Sequence, residues 1–86
     1  MEALLNITWK GENGDSRDAI DFDATDETIK NWATEMVRSG SVAGIAIDDG
    51  VNFHDFVVDR FPANEDRPCR IFVRPKTPFG LPNLTP

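Results

Sequence analysis

The sequence predicts an α+β domain, a sheet packed against one helix. Three observations lead there: strict apolar alternation near the start, an apolar stripe at helical spacing in the middle, and a short β-branched and aromatic run near residue 72. Eighty-six residues supply one modest core and no second one.

Leu5, Ile7 and Trp9 alternate with Asn6, Thr8 and Lys10, which predicts a first strand near 3–10 with one buried face. Gly11 to Ser16 is a cluster of turn formers. Ala19, Ile20 and Phe22 alternating with Asp21 and Asp23 predict a second strand near 17–24, antiparallel to the first. Ile29, Trp32, Ala33, Met36 and Val37 then share one face of a helix over about 27–39. Thr25, Asp26 or Thr28 suits its N-terminal cap, and Gly40 its left-handed stop. The stripe makes Trp32 a core residue, and Trp9 reads as core on its strand; a solvent-exposed Trp32 would overturn the fold that this packing implies.

Val42 to Ile47 is a short apolar run bounded by glycine-containing turns, which predicts a short inner strand. Val51 to Val58 fits a strand or a helical turn equally well. Pro62 to Pro68 reads as a surface connection, and Arg70 to Arg74 as a last strand. There Ile71 and Val73 face one side, and Arg70, Phe72 and Arg74 the other. Pro75, Pro78, Pro82 and Pro86 break regular structure, so the domain is expected over 1–74 with an extended tail over 75–86.

Charge is unevenly placed. Residues 1–66 hold all 15 acids and five bases, a net −10, while residues 67–86 hold four bases and no acid. An acidic body repels phosphate backbones, so nucleic acid is not an expected partner unless the domain imitates one. No apolar run is long enough to span a bilayer, so no membrane role is expected. The single cysteine, Cys69, cannot form an internal disulfide, and the expected compartment is the cytoplasm.

Asp18 to Trp32, reading DAIDFDATDETIKNW, resembles the second strand and helix start of ubiquitin, including the Thr28-Ile29 step and Asn31. Ala43-Gly44 is similar to ubiquitin's Ala-Gly turn after its third strand. Asp49 to Phe56 resembles its Asp-Gly turn and following small helical loop. Together with the order hairpin, helix, short strand, turn and final strand, these stretches resemble the ubiquitin-like β-grasp family across most of residues 4–74. The resemblance implies a mixed sheet wrapped around one helix. The connection after the helix is shorter here, the segment Asp59 to Arg67 is longer, and there is no terminal Gly-Gly.

The resemblance singles out Gly80 as a conjugation point, reached after removal of Leu81 to Pro86. Only glycine lets an activating enzyme bring the tail backbone close to the reacting carboxylate; a turn glycine in a loose end is the plainer reading. Arg70, Phe72 and Arg74 form a candidate partner-binding set, because an aromatic flanked by guanidinium groups suits a binding hot spot. A one-residue register shift would instead place Phe72 in the core. His54 and Cys69 are too few for a zinc site or a thiol catalyst, and Asp48-Asp49-Gly50 lacks the ligand spacing of a calcium loop. No catalytic residue, metal or cofactor is expected.

The first functional expectation is a bacterial-type ubiquitin-like modifier, monomeric, with activating and conjugating enzymes and a processing peptidase as partners. A second is a non-conjugated β-grasp protein-binding module or subunit. A third is an acidic, nucleic-acid-mimicking inhibitor.

Overall fold

A computed structural model describes residues 1–76. Its six elements run β1 (Glu2–Trp9), β2 (Glu12–Asp15), β3 (Ile20–Asp21), α1 (Asp26–Ser39), β4 (Val57–Phe61) and β5 (Arg70–Arg74). The first hairpin is tighter than the sequence suggested. Lys10 and Gly11 take positive φ of 49° and 81°, so Trp9 pairs directly with Glu12, as a two-residue turn between twisted strands requires. The strand expected over 17–24 is therefore replaced by two shorter ones. Residues 12–15 complete the hairpin, and only Ile20–Asp21 returns to pair with the start of β1.

The sheet is mixed, in the order β2-β1-β5-β4, with β3 also on β1. At its centre β1 and β5 run parallel, Leu5 beside Ile71 and Ile7 beside Val73. β4 runs antiparallel to β5, from Val57 beside Arg74 to Phe61 beside Arg70. One face carries Leu5, Ile7, Ile71 and Val73, all buried without residual exposure, and the helix covers it with Ile29, Ala33 and Val37.

The helix begins and ends where its capping residues dictate. Thr25 Oγ1 accepts from Thr28 N–H at 3.2 Å, Asp26 and Glu27 occupy the first turn, and Gly40 closes the last one in the left-handed conformation. The apolar stripe is narrower than its sequence spacing implied. Ile29, Ala33 and Val37 form its buried centre, Met36 lies half-buried at its edge, and Trp32 is 36% exposed. Trp32 is thus not a core residue, since it sits on the flank of a stripe that three smaller residues already fill. Trp9 is half-buried, its ring enclosed by Phe53 and Phe56.

No strand forms over 42–47. Val42 and Ile45 are buried, but only Val42 makes a ladder contact, a single bridge to Ser16. Gly44, at φ +94°, turns the chain against Asn13 and Gly14. The strand between helix and β5 forms later, at Val57–Phe61, and at the edge of the sheet instead of inside it, while residues 51–56 form a loop that buries Val51 and Phe53.

Candidate functional site

The helix covers one face of the sheet, and among the described residues no second layer covers the other. Alternation brings Leu4, Asn6 and Thr8 of β1, Asn13 and Asp15 of β2, Val57, Asp59 and Phe61 of β4, and Arg70, Phe72 and Arg74 of β5 onto this open face. Because Ile71 and Val73 are buried, Phe72 lies on the opposite side, in the register expected from the sequence.

The open face has two halves of different chemistry. Across β1 and β2 it is a ladder of side-chain hydrogen bonds. Asn6 Nδ2 donates to Asp15 Oδ1 at 2.8 Å, and Asn13 Nδ2 donates to Asn6 Oδ1 at 2.7 Å and to Thr8 Oγ1 at 2.9 Å. Across β5 and β4 it is aromatic and basic. Phe61 and Phe72 meet edge to face with ring centroids 5.4 Å apart. The Arg70 guanidinium carbon lies 5.3 Å from the Phe61 ring and 5.7 Å from the Phe72 ring, within cation–π range. Leu4, directly beside Arg70 in the ladder, is 49% exposed, and Phe61 is 43% exposed.

The three residues singled out in the sequence share this face but not one state. Arg74 is engaged by Asp59 in an ion pair. Arg70 has no carboxylate in ion-pair range among the described residues, and its buried Nε has no hydrogen-bond partner. Phe72 is half-buried because Phe61 and Arg70 lean on it. Leu4 and Phe61 were not found from the sequence. Leu4 stands out of phase with the buried alternation beside it, and Phe61 precedes Pro62 in a stretch that reads as a connection. The signal that would have found Phe61 is its pairing with Arg70 across the β4–β5 ladder, which only the fold supplies.

Of the remaining candidates, His54 and Cys69 lie apart from this face. Gly80 falls outside the described residues. His54 is exposed in a loop, 4.0 Å from Asp55. Cys69 is buried, with its Sγ 3.1 Å from Met1 Sδ. Among the described residues no three His, Cys, Asp or Glu side chains converge as metal ligands. No helix among them is long and apolar enough to cross a membrane.

An open groove of about 440 Å³ lies between α1 and the loop after Gly50, lined by Glu27, Lys30, Asn31, Thr34, Asn52, Phe53 and His54. Lys30 Nζ donates to the His54 carbonyl at 3.1 Å across it. Among the described residues the carboxyl held below its ordinary range is that of Asp48. It accepts from Trp9 Nε1 at 2.9 Å and from Gly50 N–H at 2.9 Å, with Lys10 Nζ 3.2 Å away. These contacts pin a loop to the first hairpin. No protein-family model, no curated protein and no solved structure matches the chain.

Proposed function

We propose that this chain is a ubiquitin-like β-grasp protein that acts by presenting the open face of its sheet to a protein partner, with no catalysis of its own. The observation that carries the reading is the uncovered cluster of Leu4, Phe61, Phe72 and Arg70 on a sheet whose other face is sealed by the helix. An exposed aromatic, Phe61, beside a half-buried one, Phe72, and an arginine without an ion-pair partner is a characteristic binding anchor. The finer fold assignment is supported by the order of a hairpin, a helix and returning strands in one mixed sheet. The exposed Trp32 counts against it, because that residue was expected to anchor the helix.

The experiment is photo-crosslinking in the native cell from a probe at Leu4, compared between the wild-type chain and a Phe61→Ala, Phe72→Ala double variant of equal abundance. A partner crosslinked by the first and lost from the second supports the reading, with a loss of about 2 kcal/mol or more in affinity. An unchanged crosslink pattern rules it out.

A second reading, conjugation through Gly80, is favoured by one observation. Arg74 at the end of β5, and Pro75 and Lys76 after it, are exposed, so the described chain ends at the surface. Under this proposal a peptidase removes Leu81 to Pro86, and activating and conjugating enzymes handle the exposed carboxylate. An intact mass from the native cell that ends at Gly80, or an adduct through it, supports this reading. A truncated Gly80→Val variant should then fail to form the adenylate and thioester. The acidic-mimic reading has less support, because Asp26, Asp48 and Asp59 are engaged by Arg60, Lys10 and Arg74.

A further inference from the structure

The sheet ends differently on its two sides. Beyond β2 the chain is backed by residues 42–46: Ser16 bridges Val42, the Ala43 carbonyl lies over Gly14, and Ala46 N–H donates to Glu12 Oε1 at 3.0 Å. Beyond β4 nothing comparable lies among the described residues. β4 pairs only with β5, and among the described residues no other backbone group bonds to it. About half of its N–H and C=O groups therefore point outward without a partner, a template for one more strand.

Charged side chains commonly guard such an edge, but here both are occupied elsewhere. Asp59 holds Arg74, while Arg60 holds Asp26 and donates to the Phe22 carbonyl at 2.7 Å. The free charge nearby belongs to Arg70. Its guanidinium is held against Phe61, the β4 residue opposite it, so a carboxylate arriving beside β4 would meet an oriented and partly desolvated donor.

We infer that the free edge of β4 accepts an extended segment of a partner protein as an added strand, and that this segment carries a glutamate or aspartate whose carboxylate bonds to Arg70. The inference rests on the reading of the open face as a protein-binding surface, and it names the form and charge of what binds there. Backbone hydrogen bonds along β4 would supply affinity, and the alternating side chains specificity. Apolar residues on the segment's other phase would lie beside Val58. A second copy of this chain is a poorer occupant. Antiparallel self-pairing of β4 would bring Arg70 no carboxylate but Asp59, which Arg74 already holds.

The test is a titration of the 15N-labelled full chain with the peptide acetyl-Val-Glu-Val-Glu-Val-amide, beside an analogue with lysine in place of glutamate. The expected result is saturable shifts at Val57–Phe61 and at the Arg70 Nε–H, with slowed hydrogen exchange at alternate β4 amides. Arg70→Gln should weaken binding at least about tenfold, and the lysine analogue should not bind. Should Arg70→Gln fail to fold, the comparison of the two peptides on the wild-type chain carries the charge test alone. Absence of shifts at β4 into the millimolar range, or equal binding of both peptides, overturns the inference. A peptide silent at β4 alongside a native partner lost from the Phe61→Ala, Phe72→Ala variant removes the edge inference and leaves the face reading. A peptide bound at β4 alongside unchanged native partners does the reverse.

Discussion

Asp48 shows how much a single side chain can organise. Its carboxylate ties Trp9 of the first hairpin to Gly50 of a distant loop, and Lys10 adds an ion pair. The bond from Trp9 is the main cause of its lowered pKa, followed by those from Gly50 and Lys10. A carboxyl depressed in the folded state stabilises the fold above its unfolded pKa of about 3.9, and that contribution is lost as pH falls through the lower folded value. The difference in melting temperature between wild type and Asp48→Asn should therefore be constant near neutral pH and shrink below about pH 4. A difference independent of pH would show that the charged form is not what the loop requires. Burial grades two other positions. Ile29→Ala should destabilise by about 2–5 kcal/mol, and Trp32→Ala, on the exposed flank of the same helix, by about 1 kcal/mol; equal losses in denaturant titrations would contradict the packing. The phase of Phe72 was legible in the sequence because Ile71 and Val73 flank it on the opposite phase. The exposure of Trp32 was not, because helical spacing gives the direction of a side chain but not the width of the surface it meets.

Elements were legible where local chemistry decides them. The helix came through at both ends because a threonine cap and a terminal glycine satisfy groups that no tertiary contact needs to supply. The first strand likewise came through on its alternation. β4 did not, since Val57, Val58, Asp59 and Arg60 are all half-buried and give no clean period. The competing run at 42–47 is apolar but turns at Gly44 to pack over β2, a contact set by residues far away in sequence. That packing leaves no room for a side chain at Gly14: a Cβ there would sit on the Ala43 carbonyl oxygen and 2.9 Å from Val42 Cγ1. Gly14→Ala should thus destabilise by about 1–3 kcal/mol through displacement of the 42–46 segment. Gly11→Ala, with open space around the new carbon, should suffer only from its positive φ of 81°. Amide exchange at Ala46 separates the two, since only the first substitution should accelerate it.

At the scale of the molecule, the candidate surface exists only once the sheet is assembled. Leu4, Phe61, Arg70 and Phe72 come from three strands, and no local window of sequence contains them together. The same assembly buries Cys69 to 3% exposure beneath Met1. Its thiol should react with an aromatic disulfide reagent at least about a thousandfold more slowly than in denaturant, because access requires opening of the central strands. A smaller factor would reveal fraying of the first strand. The parallel pairing of β1 with β5 carries one more consequence, for the timing of synthesis. β1 is made first and its central neighbour is the last strand of the sheet. Such a connection is slow to close and cannot begin to close early. A nascent chain halted before residue 70 must hold Leu5 and Ile7 beside an empty strand position. For as long as translation continues, that vacancy is where a chaperone would be needed and where a stalled product would aggregate.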